Sequence, residues 1–514
     1  MVDIDTTTAD NDGMANHSDD PATLLAGLQA SYAGLPGHFY ARINPTAVQD
    51  PHPGHINTSL AASLGFDPNL LNSKKGTETL AGNRVPDDAQ PIAMAYAGHQ
   101  FGNYVPQLGD GRAVLLGEHD APDGRRYDIQ LKGAGLTPFS RMGDGRAELF
   151  PVIAEYLGSE TMAGLGIPTT RSLAFAHTGE HVIRERPLPG AVLTRVAQSH
   201  VRIGTFEYFA RQGDTQAVQN LADYVINRYY PELQGEDNPY YELLERICTV
   251  TGDLIANWLL VGFIHGVMNT DNISVAGETI DYGPFAWMDD YHPMQCFSQV
   301  DQFGRYAFMQ QPTIGEWNLC RLAECLLPLL DSDQERAKAL AQQALDAYAP
   351  AFEQRFHHGL CAKIGLVYET DQDLDLASTL LQHMAQQACD YTLCFRRLAD
   401  ALNNDNDGTD SVRDLFQDPS AFDHWAQDWR KRVDAQGRHF HQVQAEMRSV
   451  NPAYILRKHH VYRAYYAVRD SQDYQPLKDL LHILHDPYHD HPGYEAYARP
   501  PEDDEHVTTT FCGT

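Results

Sequence analysis

"HGVMNTDNISVAGETIDYGPF", residues 265–285, places an Asp-Asn pair, a short apolar run, a turn and Asp-Tyr-Gly within one short span. Ala276-Gly277 reads as a two-residue turn, the commonest kind of hairpin connection. That register sets Val275 opposite Glu278, Ser274 opposite Thr279, Ile273 opposite Ile280 and Asn272 opposite Asp281. An amide oxygen and a carboxylate then stand side by side. Such donors suit Mg2+ or Mn2+, hard cations whose shell is completed by phosphate oxygens and water around one or two protein ligands. A plain surface hairpin uses the same turn residues, so the rest of the chain decides between the two readings.

Three companions favour the metal. "LGDGRAVLLGE" is a glycine turn before a strand, in which Gly109 and Gly111 let the backbone approach a phosphate and Arg112 adds charge. "SRMGDGR", residues 140–146, is a second loop of the same make. Lys132 ends the strand "YDIQLK", and the helix after it offers Glu148 and Glu155 as partners. These glutamates are seven apart and share a helical face, so spacing alone leaves the partner ambiguous. Glu148 lies near the first turn, where a capping or dipole role accounts for it, and this favours Glu155.

Glycine loop, strand lysine, helix glutamate, Asp-Asn and Asp-Tyr-Gly come in the order of a protein kinase, in which a catalytic-loop Asn and the Asp of Asp-Phe-Gly hold the metals. One element departs from that plan. His265-Gly266-Val267 has valine where a kinase places its catalytic aspartate. Asp271, directly before Asn272, is the substitute carboxylate. Arg195 and Arg202, in "TRVAQSHVRIGTF", stand near the expected lobe junction and suit a phosphate.

Outward from this core, the 514-residue chain is long enough for two lobes or more. Residues 1–20 are acidic and polar and read as a disordered tail. Residues 21–200 read as an N-terminal extension and a nucleotide-binding lobe: "RAVLLGEH" and "YDIQLKG" form one hairpin, "GRAELFPVIAEYLGSETMAGLG" a helix, and "RSLAFAHT" with "HVIRERP" a second hairpin turning at Gly179-Glu180. Residues 201–435 carry long helical patterns, including "DLDLASTLLQHMAQQACDYTLCFRRLADAL". Residues 436–514 are a C-terminal extension, in which "NPAYILRKHHVYRAYYAV" reads as helical. The fold class is therefore α+β: a protein-kinase-like two-lobed fold, with a small, mostly antiparallel N-lobe holding one helix and a large, mainly α-helical C-lobe.

Composition excludes other classes. With 38 basic and 69 acidic residues the formal charge is −31, which argues against a nucleic-acid partner or an anionic membrane surface. No apolar run is long enough to span a membrane, and "MVDIDTTTADNDG" resembles neither a secretory signal nor a transit peptide, so a cytoplasmic location and a monomer are expected. Eight cysteines show no CxxC and no zinc spacing, and the histidine groups "KHH" and "HDPYHDHPGY" have no ligand spacing either.

"GHQFGNYVPQLGDGRAVLLGE", "IQLKGAGLTPFSRMGDGRAELF", residues 265–285 and "NPAYILR" together resemble the selenoprotein O family, the SelO-type protein adenylyltransferases once called pseudokinases. The resemblance is dense from about residue 90 to 310. It implies a kinase-like fold that binds ATP with its phosphates reversed and passes AMP to Ser, Thr or Tyr hydroxyls of proteins. Carried over by motif, Gly109, Gly111, Arg112, Lys132, Asp144, Gly145, Arg195 and Arg202 bind the nucleotide, with Glu155 and Asp281 in the same pocket. Asp271 resembles the proton acceptor, and Asn272 and Asp281 the ligands of Mg2+ or Mn2+. The reversal also explains Val267, because attack on a different phosphorus leaves the kinase base without a function. Family members end in a selenocysteine or cysteine, here Cys512, for which a redox-sensitive link to Cys296 is the expectation. A phosphotransferase and a non-catalytic nucleotide-sensing scaffold are the competing readings, and UTP remains an open alternative to ATP.

Overall fold

The computed structural model describes residues 24–25, 27–402 and 411–507. In chain order the first part runs β1 (Tyr40–Arg42), β2 (His52–Ile56), α1 (Thr58–Ser63), α2 (Pro68–Leu71), α3 (Lys74–Leu80), β3 (Ile92–Met94), β4 (Gly98–Gln100), β5 (Asn103–Val105), β6 (Ala113–Asp120), β7 (Arg126–Lys132), β8 (Ala147–Glu148), α4 (Leu149–Gly164), β9 (Arg171–Ile183) and β10 (Pro187–Ala197). Helices dominate the second part: α5 (Ile203–Ala210), α6 (Thr215–Tyr229), α7 (Pro239–Leu260), the short pair β11 (Phe263–Ile264) and β12 (Ala286–Trp287), then α8 (Gln311–Leu330), α9 (Gln334–Leu345), α10 (Tyr348–Lys363), α11 (Asp371–Gln387), α12 (Tyr391–Leu398), α13 (Pro419–Ala435), α14 (Phe440–Val450), α15 (Lys458–Ser471) and α16 (Gln475–Leu484). The chain is thus α+β. Among the described residues no helix is long and apolar enough to cross a membrane.

One antiparallel sheet has the order β1-β3-β6-β7-β10-β9-β2, with β8 added against β10. The hairpin of β6 and β7 closes between Asp120 and Arg126, where "APDG" supplies the turn. Val114, Leu116, Ile129 and Leu131 share one apolar cluster, and Leu115 and Gln130 between them are buried on the other face. Helix α4 lies across β9 and β10, and the apolar positions that predict it, Val152, Ile153 and Tyr156, are buried. The largest apolar cluster runs from Phe39 through α4 and Trp258 to Val468 and Leu484, so sheet and helices share one core. The C-terminal helices form the far wall of α4: α15 stacks Tyr462 on Phe150 with ring centroids 4.7 Å apart, and α16 packs beside it.

Four expectations need correcting. Gly179-Glu180 is not a hairpin turn: β9 continues through it to Ile183, and the chain turns at residues 184–186. Gly179 takes a left-handed φ of 68° inside the strand, and a Cβ there would lie 2.6 Å from the Asp50 carbonyl, so this glycine serves a close approach. The single N-lobe helix is joined by α1, α2 and α3, each begun by a capping side chain (Asn57, Asp67 and Ser73) but too short for periodicity to stand out. The pattern from Asp373 to Leu402 splits into α11 and α12 at Ala388, which has a left-handed φ of 51°, and α12 restarts on the Asp390 cap. In "NPAYILRKHHVYRAYYAV" only the part from Lys458 is helical.

Candidate functional site

Lys132 sits at the end of β7, and Glu155 in the second turn of α4 points back at it. Lys132 Nζ lies 2.5 Å from Glu155 Oε2. Glu148 turns elsewhere, 3.1 Å from Arg184 Nε. Arg195, in β10 opposite Gln130, donates from Nε to Glu155 Oε1 at 2.8 Å and from Nη2 to Asp281 Oδ1 at 2.8 Å. Arg202, which precedes α5, reaches Asp281 Oδ2 at 2.9 Å, donates to the Asp271 carbonyl at 3.2 Å, and lies 4.5 Å over the Tyr96 ring. Lys132 approaches Asp281 Oδ1 to 3.7 Å. Strand end, helix and two loops thereby gather three cations around two carboxylates.

Electrostatics follow from this packing. Burial by itself would raise the Asp281 carboxyl, but Arg202, Arg195 and Lys132 outweigh it and hold the group well below the usual carboxylate range. Glu155 is lowered in the same way, with Arg195 and Lys132 overcoming its burial. Burial lowers the Lys132 ammonium, although Glu155 opposes the shift, and Arg112 is close enough to add to the lowering.

Asp271 is treated differently. It is 7% exposed, and burial pushes its carboxyl up to about 7 against the opposing pull of Gln100 and Arg202. Its Oδ2 accepts from Gln100 Nε2 at 3.3 Å, while Oδ1 is buried with no hydrogen-bond partner. A carboxylate titrating near neutrality with one oxygen unengaged is suited to accept a proton.

The hairpin register differs from the expected one. Ile273 bridges Thr279, one step out of the predicted pairing, so Asn272 and Asp281 are not opposed across a ladder. The cause is pairing with outside segments: Val275 N donates to Val201 O at 3.2 Å, and Thr279 N to Pro168 O at 2.9 Å. Asp281 ends the extended path with a left-handed φ of 60°, which aims its carboxylate at the two arginines. Asn272 lies in a 3-10 turn and donates to the Val267 carbonyl at 3.0 Å. His265 supports the segment from beneath, with Nε2 2.9 Å from Ile280 O.

The glycine loops pack against each other. A Cβ on Gly109 would lie 2.4 Å from the Phe139 ring, and one on Gly111 would lie 2.9 Å from the Phe139 carbonyl. Gly145 abuts Gly135, where a Cβ would lie 2.1 Å from the carbonyl oxygen. Asp144 is tied to Arg184 at 2.8 Å and has no such contact with the Lys132 cluster. Among the described residues no three His, Cys, Asp or Glu side chains converge on a metal position. The Cys296 thiol is half-buried, 3.4 Å from Asp301 Oδ2, and burial with that carboxylate pushes it up to about 11. Its expected partner Cys512 lies outside the described residues.

Sequence reasoning missed the hairpin of β4 and β5, which covers Asp271. A Cβ on Gly98 would lie 2.4 Å from Asp271 Oδ1, so the missing side chain makes room for the carboxylate. His99 N donates to Thr270 Oγ1 at 2.6 Å, and its Nδ1 lies 2.5 Å from Glu207 Oε1. Phe101 N donates to Asn269 Oδ1 at 3.1 Å. The signal was the glycine pair in "GHQFGNY", since alternation cannot be read from strands this short.

Comparison with known proteins shows the family. The profile of a family described as protein adenylyltransferase SelO matches residues 24–485. A protein nucleotidyltransferase YdiU of Bradyrhizobium diazoefficiens is 54% identical over 487 residues, covering 95% of this chain and 99% of its own. Its namesake in Rhodopseudomonas palustris strain BisB5 is 55% identical over 485 residues, covering 94% and 98%. That of Methylorubrum extorquens strain PA1 is 52% identical over 497 residues, covering 96% and 100%.

Proposed function

The chain belongs to the SelO family of protein adenylyltransferases and is a nucleotidyltransferase, and from that premise we propose that it moves AMP from ATP to Ser, Thr or Tyr hydroxyls of proteins. The fold is kinase-like: residues 21–200 and 201–435 are the two lobes, residues 436–514 an extension, and ATP lies with its phosphates reversed. The observation that carries this reading is the convergence of three buried cations on one carboxylate, Asp281. Lys132, Arg195 and Arg202 share Glu155 and Asp281, beside an aspartate that has an unengaged oxygen. A polyphosphate is the kind of anion that such converging N–H donors bind.

Asn272 and Asp281 would hold Mg2+ or Mn2+, and the held-ionised Asp281 fits such an ion, which neutralises phosphate charge when bound. Phosphates and waters would complete its shell. The protein's own residues do the rest. Gly109, Gly111, Gly145, Arg112 and Asp144 border the nucleotide, while Lys132, fixed by Glu155, and the two arginines orient the triphosphate. The hydroxyl oxygen bonds to the α-phosphorus, the bond to the bridging oxygen of the β-phosphate breaks, and pyrophosphate leaves. The Asp271 carboxylate receives the hydroxyl proton.

Incubating the pure protein and a cell lysate with α-labelled and γ-labelled ATP tests this. Label entering protein from the α position alone is expected; γ label would make it a phosphotransferase. Tight ATP binding with no label in any protein would leave a nucleotide sensor.

A further inference from the structure

Beyond the nucleotide cluster, an arginine beside the Asp271 hairpin stands without a carboxylate in this acidic chain. Arg305, on the loop between β12 and α8, forms no ion pair with any described side chain. Its guanidinium lies 4.8 Å over Trp317 and 5.7 Å from the Tyr306 ring centroid, and its Nε is buried with no hydrogen-bond partner. The neighbouring arginines differ. Arg321, on the same indole, is 2.7 Å from Glu324, and Arg211, over Tyr104, is 3.9 Å from it. Arg305 is thus a half-buried guanidinium held by aromatic rings, with N–H donors that no described carboxylate engages.

Its position joins it to Asp271. A Cβ on Gly102, at the tip of the β4–β5 hairpin, would lie 3.5 Å from Arg305 Cζ. Two residues earlier in that hairpin, Gln100 donates to Asp271. Tyr306, next to Arg305, donates to Asn269 Oδ1 at 2.7 Å and accepts from Phe101 N at 3.2 Å. Outside lies an apolar shelf of Phe303 (95% exposed), Val300 (58%), Met294 and Met309. Large apolar groups gathered on one exposed segment mark a contact surface.

The geometry points to this segment as the docking surface for the acceptor protein, with Arg305 binding an acidic side chain close to the hydroxyl that is modified and the Phe303 shelf covering an apolar residue beyond it. The inference rests on the transfer reading and adds the class of substrate segment. Charge selects the occupant: a guanidinium fixed on an indole and lacking a carboxylate recognises one through paired N–H donors, and a basic segment is repelled.

The test uses the full chain and two fluorescent peptides that share a Ser and a distal Leu, one with Glu and one with Lys flanking the Ser. Anisotropy measures binding without turnover, and mass spectrometry measures AMP transfer separately. The Glu peptide is expected to bind about tenfold tighter than the Lys peptide. Arg305→Glu should reverse that order, Arg305→Gln should level it, and Phe303→Ala should weaken both peptides alike. Equal wild-type affinities, or an Arg305→Glu variant that loses both peptides equally, would overturn the proposal, as would a variant that loses ATP affinity while keeping the peptide preference. A preference for the acidic flank with no AMP transferred defeats the transfer reading and leaves docking in place. Transfer indifferent to the flank does the opposite.

Discussion

Two buried charge clusters in this protein are built on opposite plans. Around Arg457 one cation meets two carboxylates: its Nη1 donates to Asp289 and, at 2.8 Å, to Asp390 Oδ2, while Nη2 donates to the Ala498 carbonyl at 3.0 Å. That cluster ties the strand after Asp-Tyr-Gly, the start of α12 and the C-terminal segment together, and every charge in it has a protein partner. Around Asp281 the ratio is reversed, with three cations sharing two carboxylates. Taking an ion out of water costs several kcal/mol, which a partner must offset. Three cations converging on one carboxylate leave N–H donors able to bind an anion. On the proposed function, this difference separates a place that binds from a place that holds.

Asp281→Ala is the strongest test of this contrast. It removes the carboxylate shared by all three cations, and transfer of α label is expected to fall about a thousandfold. A variant that still labels protein at the wild-type rate would remove Asp281 from the mechanism. Arg457→Met should act on the other cluster, since Asp289 and Asp390 would be left buried without their counter-ion. A loss of about 3–5 kcal/mol is expected in chemical denaturation, with ATP affinity of the folded fraction unchanged. Arg202→Met should do the reverse, because Arg195 and Lys132 still hold Asp281: ATP affinity drops about ten- to a hundredfold in calorimetry while the melting temperature moves by a few degrees.

The pH profile gives a finer distinction. As the proposed proton acceptor, Asp271 acts only when ionised, and burial pushes its carboxyl up to about 7. Transfer at limiting ATP should therefore rise about tenfold per unit below that pH and level off above it, a limb that Asp271→Asn should abolish. Gln100→Ala removes a donor that lowers Asp271, so the limb should move upward, with a loss of no more than about threefold at neutral pH. A shift downward would take Gln100 away from the carboxylate.

The sequence made some of these elements legible and concealed others, for physical reasons. β6, β7 and α4 carry strong local signals, a Pro-Asp-Gly turn and a helical apolar stripe, so the meeting of Lys132 with a glutamate of the next helix could be anticipated. The register of residues 272–281 could not, because its backbone pairs with residues 168 and 201, which no local pattern reveals. Likewise β4, three residues long, gains its role over Asp271 from tertiary packing alone. The break at Ala388 has no glycine or proline to announce it. Arg195 and Arg202 were recognisable as unusual cations in an acidic chain, but their sharing of Asp281 needed the fold.

The packing of α15 and α16 behind α4 has a consequence for synthesis. The helix bearing Glu155 leaves the ribosome long before residues 458–484 exist, by roughly 15 to 60 s at about 5 to 20 residues per second. Until then the nascent sheet has its lysine but not the wall that seats the opposing glutamate. A translation product that stops short of residue 458 lacks the helices that pack behind α4.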